Sequence, residues 1–177
     1  MLILGIDPGV SGGHHGWALL DATPGQRPRF LAGGHDPAPT VLLQIDRLGV
    51  GDQVAIETPA GYVWRYERGA ALLAMAEAAG YFRGRAEARG LRAASPSAQD
   101  WRRGLCQDPS ASDEQIARAV TYHVDQLPTR STPHLRDALG MALVVGWGWR
   151  PPARQVHLPL GFGGKRPGEH KRAGKDP

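Results

Sequence analysis

The 177-residue sequence predicts a single mixed α/β domain followed by a basic extension. Three observations carry this. Short apolar runs bounded by Gly, Pro and Asp are interleaved with stretches of helical spacing, the pattern of a sheet covered by helices. A chain of this length that is 41% hydrophobic can bury one sizeable core and is too short for two ordinary ones. The formal charge of +4 is also unevenly placed: residues 1–150 carry 15 Arg, no Lys and 15 acids, so the whole excess lies in residues 151–177.

Taken in order, Leu2 to Asp7 is an apolar run ending in an acid and a Pro-Gly turn, and Gly16 to Asp21 returns after a glycine-rich stretch, predicting a β-hairpin. Arg29 to Gly33 reads as a third strand, and Thr40 to Leu48 as a short helix with Thr40 as its N-cap. Gln53 to Thr58 is a buried strand stopped by Pro59. From Arg65 to Arg89, Leu72, Met75, Ala76, Ala79 and Phe82 recur at helical spacing. Leu91 to Ala94 predicts a fifth strand, followed by a short arginine-bearing segment, Gln99 to Arg103. Ser112 and Gln115 form a capping box that opens a helix to about Val124. Thr132-Pro133 then starts a last helix along Leu135, Leu139, Ala142, Leu143 and Gly146. No repeat of solenoid length is present.

The bulk properties exclude several function classes. No apolar window approaches the length of a membrane span, and the N-terminal run has neither the basic flank nor the cleavage site of a secretory signal. The lone Cys106 excludes an internal disulfide and a cysteine-based zinc cluster, which fits a reducing cytoplasm. Residues 151–177 combine six Lys or Arg with five Pro and several Gly, a composition expected to stay disordered and to add salt-dependent attraction for nucleic acid.

Four residues stand out as candidate chemistry. Asp7 and Glu57 each end a predicted strand just before a turn, so parallel neighbours would bring both carboxylates to the crevice where open α/β sheets place their sites. His134 and Asp137, three apart near the start of the last helix, share one face of it. Singly, each has an ordinary explanation as turn former, helix-terminus acid or surface histidine.

Together, LILGIDPG, AIETP and HLRDALGMAL resemble the three acidic motifs of RuvC-like Holliday junction resolvases, in the family's order, across residues 1 to about 149. His134 stands where that family often has an acid. The resemblance implies an RNase H-like fold with a mixed sheet of about five strands flanked by helices, spanning residues 1–150. It further implies an endonuclease that cleaves four-way DNA junctions, in which Asp7, Glu57, His134 and Asp137 hold two Mg²⁺ ions, with Mn²⁺ as a substitute. Asp7 would bridge the ions, Glu57 completing one site and His134 with Asp137 the other.

For DNA binding, Tyr62, Trp64 and Tyr66 interleave with Arg65 and Arg68 soon after Glu57, a mixture suited to stacking on bases and holding phosphates. Arg102, Arg103 and Arg118 would supply the cationic charge that the family provides with lysines. His14 and His15 read as part of a solvated turn. Symmetric cleavage of a junction needs two active sites, so the resemblance implies a homodimer, and the 65–89 helix with Gly69, Ala70 and Ala71 is the first place to look for its interface. A branch-migration motor as partner is left open. Two other readings compete: an actin-like ATPase relative, which would need a second such domain, and a non-catalytic junction-binding protein, which would have no use for clustered carboxylates.

The location of the excess charge makes a prediction. Deleting residues 151–177 should weaken DNA binding and flatten its salt dependence, the log-log slope falling by about 0.9 for each phosphate no longer neutralised. Titrations of the full and shortened chains at several salt concentrations test this, and equal slopes would make the extension a spectator.

Overall fold

In the computed structural model, residues 1–9, 13–59 and 69–148 are described; Tyr62, Trp64, Arg65, Tyr66, Arg68 and the basic extension lie outside them. Five strands, β1 (Leu2–Asp7), β2 (His14–Asp21), β3 (Arg29–Pro37), β4 (Gln53–Ile56) and β5 (Arg92–Ala94), form one sheet in the order β3-β2-β1-β4-β5. β1, β2 and β3 are antiparallel neighbours, while β1, β4 and β5 run parallel. Helices α1 (Ala38–Arg47) and α2 (Gly69–Ala88) cover one face, and α3 (Ala98–Cys106), α4 (Asp113–His123) and α5 (Pro133–Gly146) cover the other. No helix among the described residues is long and apolar enough to cross a membrane.

The two faces of the sheet differ in side-chain size. In β1, Leu4 and Ile6 point towards α1 and α2, where they join Trp17, Val54, Ile56 and Phe82 in one buried cluster. Beneath the first turns of α5 the alternate positions are small, Gly5 on β1, Gly16 and Ala18 on β2, Gly33 on β3 and Ala55 on β4, whereas Ile3 and Leu20 on the same face are large and Ile3 packs by Gly146 at the far end of the helix. A Cβ added to Gly5 would overlap the carbonyl oxygen of Ala138, and one on Gly16 would lie 2.5 Å from that of His134. The backbone of α5 is therefore seated directly on the strands. Its residues from Ala138 to Val145 are buried on every side, as expected of a helix enclosed between a sheet and two further helices.

Local signals set the helix starts. Thr132 accepts the N–H of Leu135 through its side chain and Pro133 occupies the first turn of α5. Ser112 and Gln115 form the expected capping box on α4.

Three elements differ from expectation. Helix α1 is entered through Pro37 with no side-chain cap, so Thr40 lies inside it. The short Gln99–Arg103 segment is part of a nine-residue helix, because Ser97 and Asp100 make a second capping box. The solvated turn expected at His14 and His15 is instead the start of β2, paired with Asp36 and Pro37 of a β3 that runs on past Gly33. Strand alternation then buries His15 edge-on against Phe82. Along α2, Ala79, Phe82 and Ala86 are buried, Leu72 and Met75 are half-buried, and Ala76 is exposed.

Because the contact at Gly5 is with backbone, it has little room to yield. Gly5→Ala should lower unfolding stability by about 3 kcal/mol, the upper end of overpacking costs, whereas Gly49→Ala, with open surroundings, should cost much less. Urea denaturation of both variants tests this, and a Gly5→Ala protein as stable as the parent would contradict the close seating of α5.

Candidate active site

β1 and β4 are hydrogen-bonded side by side, and the ladder continues one residue further, Glu57 N–H donating to the Ile6 carbonyl at 3.0 Å. Asp7 and Glu57 therefore emerge at adjoining C-terminal strand ends, 8% and 9% exposed. Few acids are this buried without a partner that compensates the charge.

The seating of α5 brings the other two predicted residues to the same place. His134 Nδ1 lies 2.6 Å from Asp7 Oδ2, a bond in which the imidazole N–H donates to the carboxylate. Asp137, one helical turn on, feels the charges of both Asp7 and His134. Its carboxylate is 4.0 Å from the Arg102 guanidinium. All four candidate residues thus converge, from β1, the end of β4 and the first turns of α5.

Helix α3 adds a feature that the sequence pattern alone did not indicate. The buried Trp101 donates its indole N–H to Glu57 Oε2 at 2.9 Å, and the next residue, Arg102, lies 5.3 Å over the Trp101 ring while facing Asp137. Two consecutive residues therefore address two of the acids. Gly140 makes this possible, since a Cβ there would meet the Trp101 ring at 2.9 Å. The available signal was the capping box at Ser97, which extends the helix and places Trp101 on its buried side.

The electrostatics follow from this crowding. Burial, then the charge of Asp7, pushes the Glu57 carboxyl up to about 7, against the opposing indole hydrogen bond. Burial and Asp7 likewise raise Asp137 to about 6, with Arg102 opposing. Among the described residues, no three His, Cys, Asp or Glu side chains already meet closely enough to hold one ion. The donors nevertheless fit a hard divalent cation: carboxylate oxygens with an imidazole, crowded enough that Glu57 and Asp137 resist ionising beside Asp7.

The cationic candidates occupy different places. Arg102 is at the acids. Arg103, on the same helix, is exposed. Arg118 is exposed on α4, pairs with Glu114 at 3.5 Å and lines a separate groove with Arg27 and Tyr122.

No family model and no curated protein sequence matches the chain. Solved structures do. The structure of Thermus thermophilus RuvC in complex with a Holliday junction substrate is 23% identical, with a TM-score of 0.60 over 81% of this chain and 92% of that one. The fold is that of RuvC. A second T. thermophilus RuvC structure is 24% identical, with a TM-score of 0.48 over the same shares. The five-stranded mixed sheet with helices on both faces is thus the RNase H-like architecture, as expected from the resemblance to RuvC.

The raised Glu57 carboxyl yields a stability prediction. Below about pH 4.5 the group is neutral in both folded and unfolded chains; between about pH 4.5 and 7 the unfolded chain ionises while the folded chain resists, so stability is lost across that range. With divalent ions chelated, Glu57→Gln should therefore be more stable than the parent at pH 8, on the order of 1–3 kcal/mol, with the gap closing towards pH 5. Urea denaturation of both proteins at the two pH values measures it, and a constant gap would contradict the assignment.

Proposed function

We propose that the chain is a metal-dependent endonuclease that cleaves branched DNA, four-way junctions first. The observation carrying this reading is the convergence of Asp7, Glu57, His134 and Asp137 at the carboxyl ends of β1 and β4, with His134 hydrogen-bonded to Asp7. It is supported by likeness of fold to a protein solved in complex with a Holliday junction. A non-catalytic DNA-binding protein would gain nothing from a cluster of two buried acids and a half-buried third that repel phosphate.

Asp7, Glu57, His134 and Asp137 would hold two Mg²⁺ ions, or Mn²⁺ in their place, and the bound ions would supply an activated water and neutralise the charge of the scissile phosphate. The protein's own groups prepare the site. The Trp101 N–H holds one Glu57 oxygen and fixes that side chain's direction. Asp7, accepting from His134, fixes the imidazole tautomer and leaves Nε2 with its lone pair. Arg102, stacked on Trp101 at the edge of the acids, is placed to hold a backbone phosphate of the entering strand, while Arg103 gives the same helix a second exposed cation.

Tyr62, Trp64, Arg65, Tyr66 and Arg68 remain the proposed stacking and phosphate-holding segment, and Arg118 a peripheral contact. Paired cuts across a junction require two such sites, hence a homodimer. The N-terminal half of α2, where Gly69, Ala70, Ala71 and Leu73 are exposed, is the surface proposed for its interface.

Incubation with a labelled four-way junction and Mg²⁺, with ATP as a separate substrate, tests the reading. Mapped cuts near the branch point are expected, and hydrolysis of ATP without DNA cleavage would overturn it. Asp7→Asn should lower the cleavage rate by about a hundredfold or more while leaving junction affinity equal or slightly tighter, since it removes a ligand and a negative charge together. Gel-shift and cleavage assays on one preparation check both halves.

A further inference from the structure

One strand register creates a slot beside the acids. Asp7 on β1 is paired across the sheet with Gly16 on β2, and Gly16 with His35 on β3, so the three form one row. The central member has no side chain, and the His134 backbone lies directly over it. The outer two stand two strand spacings apart, about 9.6 Å. The His134 imidazole lies in this gap. Its Nδ1 is held by Asp7 on one side, and its ring is covered by the His35 ring, with centroids 4.8 Å apart and planes 7° from parallel.

A hydrogen bond through one nitrogen leaves a side chain free to swing about that bond. The His134 side chain is 46% exposed, so core packing does not remove this freedom. The stacked ring does. His35 is itself exposed on an edge strand, where its replacement disturbs no buried cluster.

We propose that His35 is a positioning residue that fixes the ring plane of His134 and thereby the direction in which His134 offers Nε2 to a divalent ion. The proposal rests on the metal-centre reading of Asp7, Glu57, His134 and Asp137. His35 acts through its ring face, so another aromatic ring should serve in its place.

Mn²⁺ binding by the full chain without DNA, read from the loss of the free-ion electron paramagnetic resonance signal, tests this with the parent, His35→Ala and His35→Phe. His35→Ala should weaken Mn²⁺ binding about tenfold, the scale on which loss of a ligand's supporting partner acts. His35→Phe should remain close to the parent. In the chelated protein, the His134 ring protons should resonate upfield in the parent and in His35→Phe, and move downfield in His35→Ala.

Equal Mn²⁺ affinity in all three proteins would overturn the proposal. So would a His35→Phe protein as weak as His35→Ala, since His35 would then act through its nitrogens. Failure of the underlying reading looks different: Asp7→Asn would bind Mn²⁺ as well as the parent, or the parent would bind none. The resonance shifts would still report in that case whether His35 holds the ring.

Discussion

Between His134 and Ala142, helix α5 lies closer to the sheet than a large side chain beneath it would permit, and the arrangement of the acids depends on that closeness. Gly5, Gly16, Ala18, Gly33 and Ala55 make a shallow seat across four strands. With the helix in the seat, His134 reaches Asp7 and Asp137 comes within range of its charge. Larger residues in those positions would lift the helix by about an ångström or more, enough to separate donors whose useful distances span only a few tenths.

The same seating concentrates negative charge where little water reaches. A fold under no functional demand would fill this space with apolar side chains, because buried like charges cost stability that hydrogen bonds only partly offset. Here the offsets come from one neighbouring helix: α3 gives an indole N–H to Glu57 and a guanidinium to Asp137 from adjacent residues. They restrain the acids in direction without neutralising them, which suits groups that are to receive a cation.

Much of this was legible in the sequence, because the decisive signals are local. An apolar run that stops at Asp7-Pro8-Gly9, another that stops at Glu57-Thr58-Pro59, and a Thr132-Pro133 helix start each announce a boundary through turn and cap chemistry. They place the acids at element ends before any pairing is known. What stayed hidden depends on packing between distant residues. The entry of His14 and His15 into β2 depends on β3 continuing to Pro37, and no local spacing reports that register. The role of Trp101 likewise depends on a glycine far along the chain, Gly140, allowing α3 to dock.

The unequal faces of the sheet also govern how the sequence can change over time. Beneath α1 and α2, aliphatic side chains such as Leu4, Ile6, Val54 and Ile56 fill a layer in which one hydrocarbon can replace another if total volume is kept. At the five seat positions beneath α5 no such exchange is open, since each is already at or near the smallest residue available. Drift should therefore accumulate on one side of the molecule and stall on the other, so that two proteins sharing this layout could lose most of their identity while the backbone path at the acids stays fixed.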